Sequence, residues 1–582
     1  MTWNSKLFAA LLRIGLVVGL LSGIAESALA VPATQTPAPG DLRSAGAVKF
    51  TTSCNDAVQA EFVRGVALLH SFFYEEARRI FTAVAEKDPA CAMAQWGIAM
   101  TWWHPIWTPP TAEEMSAGRA AAEKASSLQA TPRERGFIEA INAYYNAPEL
   151  PSSTGPVGQG CHGPVGAAGR VVAYERAMHK VYERFPKDVE TQVFYAFAVL
   201  SVGYATPTDT TLTKQKAAGK MLEKLWKQNP HHPGAVHYLI HAYDYPPLAR
   251  RALPAAQAYA AIAPWVPHAL HMPSHIFTRL GMWDESVSAN QSAAEASRAY
   301  AALRQRSASE VEELHALDYM MYSYLQEGRD AAAKQLLDSV TAVRATYPEM
   351  EFVGAYALAA IPARYALERN AWSEAAALPI PQRPQWARFP FVEATFEYAH
   401  ALGRVHSGDR DGARKAIERM HALHDATTEP KFDYFKKHLD LQMQAASAWL
   451  AHAEGRNEEA VAALQAAADG EDTLGKHPVT PGALVPAREQ LGELLLELKR
   501  PKEALSAYEA ALKIYPARFR GLYGAALSAE QLGDRKQARK YFAMLLKQAA
   551  LAEPSRMELG HAREVVAAKA RGPQSVKTGY VR

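Results

Sequence analysis

At 582 residues the chain is longer than one compact core usually serves, which calls for several domains or an elongated repeat array. Its 63 Lys+Arg nearly balance 60 Asp+Glu without a long single-sign run, so an electrostatic nucleic-acid binder is excluded and no nucleic acid is expected as a partner. A hydrophobic content of 49% with 11 Trp and 25 Tyr excludes global disorder.

Residues 1–30 read as a signal peptide. Lys6 and Arg13 open it, residues 14–21 form a short apolar run, and Ala28-Leu29-Ala30 fits the small-x-small cleavage rule. The run falls short of the roughly 18 apolar residues of a span, and no later stretch reaches that length. The mature chain is therefore expected to be exported, periplasmic or secreted, with no membrane span. Residues 31–48, rich in Pro, Ala and Thr, read as a flexible leader.

Helical pattern follows almost without interruption. Residues 49–146 hold the first hairpins, with Cys54 and Cys91 placed either as a disulfide or as two buried thiols. Trp96, Trp102, Trp103 and Trp107 crowd this region and read mainly as an aromatic core, with Trp103 also a candidate groove residue. Residues 147–166 are a Gly/Pro loop carrying Cys161-His162, which lacks the second cysteine that covalent haem requires. Residues 167–467 form the central array, and 468–485 a linker. In that linker Gly470-x4-Gly475-Lys476 imitates a phosphate loop, but His477 stands where Ser or Thr is needed. Residues 486–550 hold a final pair of repeats, and 551–582 a terminal helix and disordered tail.

The central array carries the strongest signal. His237 and His241 recur as His271 and His275 after 34 residues, and Pro230 and Pro264 keep the same interval. That is the period of the tetratricopeptide (TPR) helix-turn-helix repeat. Near the other end Leu491, Gly492, Ala504, Tyr508, Ala511 and Pro516 fit the TPR template, and Ala538 and Phe542 repeat two of them. A pattern of Gly, four residues, a small residue, three residues and an apolar one recurs from Gly281, Gly328, Gly408, Gly455 and Gly533. Asn290 is the one polar residue in its apolar place. The fold class expected is all-α: a right-handed α-solenoid of roughly ten to twelve TPR-like hairpins.

The segments HHPGAVHYLIHAYDYP and PHALHMPSHIFTRLGMWDES, with HSFFYEEARRIFTAVAEKDPACAMAQWGIAM, resemble a family of exported bacterial TPR proteins with a central His-rich block. The resemblance covers most of residues 50–420 and brings no established activity. It implies a register in which the first helix of each repeat faces a concave groove. In that register the groove receives His237, His241 and Asp244, then His268, His271 and His275, then His315, Asp318 and Tyr322, with Arg364 on a later helix.

Two readings of these residues compete. Imidazoles at i and i+4 share a helix face, and packed helices run about 8–10 Å apart, so His237, His241, His271 and His275 can converge on Zn or Cu. His268 and Asp244 are further candidate ligands, and Asp244 or Asp318 can instead orient an imidazole. Alternatively the groove binds a protein or peptide partner through His315, Asp318, Tyr322, Arg364 and Trp103, or the histidines simply hydrogen-bond. Pro273 complicates both readings, because proline suits only a helix's first turn. His231 and His232, before Pro233, are expected to cap the turn between repeats. No HExxH or G-x-S-x-G motif is present, so a metal-dependent enzyme is the alternative to a binding or scaffolding protein.

Overall fold

The computed structural model describes residues 44–106, 110–148, 168–205, 209–553 and 556–567, all within one compact unit, Pro37–Arg582. The expected signal peptide, most of the expected leader, most of the 147–166 segment with Cys161, Trp107 and the residues beyond 567 lie outside these residues. Successive helices form antiparallel hairpins that stack into an all-α solenoid, and the described strands are the two-residue pairs Ser309–Glu310 and Thr346–Tyr347. No helix among the described residues is long and apolar enough to cross a membrane.

The hairpins follow from the recurring glycine pattern. Gly281 closes the helix Pro273–Leu280 with φ +68°, a left-handed conformation that costs glycine little, and Trp283–Leu303 starts two residues later. Gly328, Gly408, Gly455 and Gly533 adopt the same left-handed conformation. Five residues beyond each glycine stand Ser286, Ala333, Ala413, Ala460 and Ala538, all essentially inaccessible. Small side chains there let the two helices of a hairpin close on each other. The hairpin between Asp56–His70 and Tyr74–Lys87 has Phe72 at φ +55° instead of glycine. A phenylalanine in that conformation is uncommon and signals a local constraint.

Cys54 and Cys91 form a disulfide that ties the segment before the first hairpin to the start of the next. The described end of the leader is packed, not loose. Ala45 and Phe50 are buried, and the Ala47 amide donates to the His231 carbonyl at 2.8 Å.

The largest departure from expectation is the fate of the concave face. Residues 475–486, which overlap the expected 468–485 linker, run inward. They follow the helix Asn457–Leu474 into the interior, where Lys476, His477 and Thr480 are buried. Tyr319 donates its hydroxyl to the Pro478 carbonyl at 2.8 Å, and Arg364 donates to the Ala483 carbonyl at 3.0 Å. The array also curls until its ends meet its middle. Trp283 donates its indole N–H to the Ala517 carbonyl at 2.9 Å, and Arg306 pairs with Glu75. Two apolar cores result, one centred on residues 45–277 and one on 270–562. They meet at the helices that carry the histidines.

Candidate metal centre

Six histidines, His237, His241, His268, His271, His275 and His315, come together at that junction, none more than 3% exposed. They form two groups of three. In His237/His241/His268, and again in His271/His275/His315, one ring nitrogen from each residue lies within 4.8 Å of the others. The groups adjoin, with ring centroids 6.5 Å apart between His241 and His275 and 6.4 Å between His268 and His271.

Local sequence explains each placement. His232 caps the helix Pro233–Tyr243 by accepting from the Ala235 amide at 3.2 Å, which sets His237 and His241 one turn apart. Pro273 interrupts the next helix as expected. Pro267–His271 ends, Met272 bridges, and Pro273–Leu280 begins with proline in its first turn. The break leaves His271 and His275 on a common face, their Nε2 atoms 3.0 Å apart.

The hydrogen bonds at the far side of each ring decide what those nitrogens carry. His271 Nδ1 donates to Asn290 Oδ1 at 2.6 Å, and the Asn290 amide is held that way round because its Nδ2 donates to the Ser286 carbonyl at 2.7 Å. His275 Nδ1 donates to Asp244 Oδ2 at 2.9 Å. His237 Nδ1 donates to the His70 carbonyl at 2.6 Å, and its buried Nε2 has no hydrogen-bond partner among the described residues. An oxygen acceptor at Nδ1 puts the single proton of a neutral imidazole there and leaves a lone pair on Nε2.

Four of the rings, His237, His271, His275 and His315, are held toward the neutral form. Burial, reinforced by neighbouring histidines, holds His237 and His271 well below 6.5; burial with His275, His268 and Lys476 does the same for His315. Burial and the Lys476 charge bring His275 down to about 4 even though Asp244 opposes them. Burial alone would raise Asp244, but Lys476, Arg279 and His275 together hold it well below the usual carboxylate range. Arg279 Nε donates to Asp244 at 2.9 Å and Lys476 Nζ at 3.3 Å.

The other expected groove residues are interior. Asp318 faces Arg364 at 3.3 Å and burial raises its pKa, so Asp244 is the carboxylate that serves the histidines. Arg364, 0% exposed, pairs with Asp318 and donates to the Gly482 and Ala483 carbonyls. Tyr322 accepts from Arg518 Nη1 at 2.9 Å, within a network holding Glu368 and Glu489. Trp103 stacks on Tyr144 with centroids 4.4 Å apart, in the aromatic core. An open groove lined by these four side chains is thus not what forms, because residues 475–486 and the curled array fill it.

Three contributors carry weaker sequence signals. Phe72 packs its ring against His237, His241 and His268 at 4.5, 5.5 and 5.6 Å. It also lines a cavity of about 590 Å³, together with Glu312, whose carboxylate is 3.6 Å from His268. A second cavity of about 400 Å³ is lined by Asp244, Arg279 and Lys476. His70 belongs to a separate buried set. Its Nε2 meets Glu190 at 2.9 Å, its Nδ1 meets Tyr238 Oη at 3.0 Å, and His232 Nε2 reaches the same carboxylate at 3.0 Å. Every ring nitrogen there has a partner, so this set is a closed hydrogen-bonding scaffold whose backbone orients His237.

Fold and site together define a class: a helical-repeat protein closed around a buried cluster of histidines. The repeat type follows from a family model described as Tetratricopeptide repeat, which matches residues 485–518, the same frame that places Leu491 and Pro516 in the template. The chain is a TPR-containing protein, and TPR arrays generally mediate protein interactions through their extended surfaces. No curated protein matches the chain. Among solved structures, the crystal structure of the P58(IPK) TPR domain aligns at 15% identity over 66% of this chain and 100% of that one, with a TM-score of 0.21. At that score the two do not superpose as wholes.

Proposed function

We propose that this protein holds a transition-metal ion, Zn or Cu, on the histidine cluster inside its TPR array. The observation that carries the reading is the His271–His275 pair. Both Nδ1 protons are committed to oxygen acceptors, so two lone pairs face each other at 3.0 Å in a water-poor interior. That contact is repulsive unless a cation lies between them. A proton is a poor candidate there, because it would place a buried positive charge beside the Lys476 ammonium. A metal ion fits. Two nitrogens bound about 2.0–2.1 Å from one ion are about 2.8–3.4 Å apart for angles between square and tetrahedral.

The surrounding donors support the same reading. Carboxylate and carbonyl acceptors behind ligating imidazoles fix the tautomer and raise ligand basicity. Asp244, Asn290 and the His70 carbonyl stand in those positions. All-imidazole donor sets suit Zn and Cu rather than Mg or Ca. The signal-like leader and the Cys54–Cys91 disulfide support an exported protein in an oxidising compartment.

Metal analysis by mass spectrometry, on protein purified without an affinity tag, tests the proposal. At least one Zn or Cu per chain is expected, with most of it lost in His271→Asn/His275→Asn. No bound metal in either protein after exposure to both ions would overturn it.

A further inference from the structure

We infer that the centre takes two ions, one on His271, His275 and His315 and a second on His237, His241 and His268. The inference rests on the metal reading above and extends it from one site to a coupled pair.

The donor count is the first argument. A four-coordinate ion cannot use six imidazoles, whereas three imidazoles each leave every ion a position for an oxygen ligand. Each triad is compact enough to serve alone, with its three nitrogens within 4.8 Å of one another. A second sign lies away from the His271–His275 contact. His237 lies in the other triad, is 0% exposed, and has its Nδ1 fixed by the His70 carbonyl while its Nε2 has no hydrogen-bond partner among the described residues. A buried nitrogen acceptor left this way costs free energy that a second ion removes.

Proximity makes the pair one centre. Cross-triad ring centroids of 6.4 and 6.5 Å barely exceed 6.2 Å, the longest separation within each triad. Two-metal sites in which a single oxygen bridges both ions have them about 3.5–4 Å apart, and adjoining triads are the arrangement such a pair needs. The ligands expected are therefore two divalent first-row ions and a small bridging oxygen donor such as water or hydroxide. Phe72 and Glu312 stand between the second triad and the 590 Å³ cavity, which gives that donor its approach.

The test is a Cu(II) and Zn(II) titration of the chelator-stripped full chain, with bound metal counted after gel filtration. It is repeated on His237→Asn/His241→Asn and His271→Asn/His275→Asn, each checked by circular dichroism. Two ions in the parent and one in each variant support the inference. One ion in the parent, lost in either variant or in both, overturns the second site and leaves the metal reading standing. No ion in the parent overturns both. Should a variant fail to fold, EPR of the Cu(II)-loaded parent decides. A spin-coupled pair supports two ions, and an isolated signal integrating to all bound copper overturns them.

Discussion

Asp244→Ala is the perturbation with the largest reach. The carboxylate is 5% exposed and accepts from three donors: His275 Nδ1 at 2.9 Å, Arg279 Nε at 2.9 Å and Lys476 Nζ at 3.3 Å. Alanine leaves two buried cations without their counter-charge. Breaking a buried ion pair from one side costs about 3–5 kcal/mol, against a total stability of about 5–15 kcal/mol for a typical domain. Lys476 sits on the segment that fills the interior, so the damage extends to how residues 475–486 are held. The same change strips the acceptor from behind His275, for which a loss of about 10–100-fold in metal affinity is usual. The two effects separate by assay. Urea unfolding in excess chelator reads the first, and competition against a chromophoric chelator, under conditions where the variant is folded, reads the second. A urea midpoint equal to the parent's would refute the ion-pair reasoning. Unchanged metal affinity would refute the role assigned to the carboxylate behind His275.

Further outcomes follow from the same geometry. Asn290→Leu restores the repeat's usual apolar residue and frees His271 to donate Nε2–H to His275; the metal-free protein should keep nearly its parental stability while metal affinity falls about 10-fold or more, by calorimetric titration. Phe72→Ala opens the second triad to the 590 Å³ cavity and should speed metal release to chelator in stopped-flow traces; parental release rates would show that Phe72 is no barrier. His406 lies between Trp372 and Trp449, with centroids 4.0 and 4.4 Å away, and burial lowers it to about 4. Its folded pKa is below the unfolded value near 6.5, so unfolding takes up a proton and stability falls as pH drops from about 6.5 to 4. The slope for one such proton is at most about 1.4 kcal/mol per pH unit, less for a ring that keeps some exposure. His406→Gln should flatten the urea-midpoint profile in that window, and parallel profiles would contradict this.

Much of the architecture is legible in the chain because each hairpin is specified locally. The glycines near residues 281, 328, 408, 455 and 533 and the small residues five places on need no tertiary context to be read. The recurrence of His237/His241 as His271/His275 marks the site, and Asn290 marks itself by breaking the apolar rule. The closure of the array is not legible. Curvature accumulates from small rotations between neighbouring repeats, and no short segment encodes its sum. The composition of 468–485, rich in Gly, Pro and Thr, suits a surface linker as well as an interior strap; its burial is decided by Tyr319, Arg364 and Asp244, more than a hundred residues away. For the same reason Arg364, Tyr322 and Trp103 read as groove residues and are interior ones. His315 reaches His271, with ring centroids 4.3 Å apart, by the stacking of neighbouring repeats and not by closure.

The most direct test of the central claim is X-ray absorption at the metal edge of the Zn- or Cu-loaded full chain. The account predicts a first shell dominated by imidazole nitrogens at about 2.0–2.1 Å, with the outer-shell scattering of at least three rings per ion, reduced in His271→Asn/His275→Asn. An oxygen-only shell, or a shell unchanged in that variant, would contradict it.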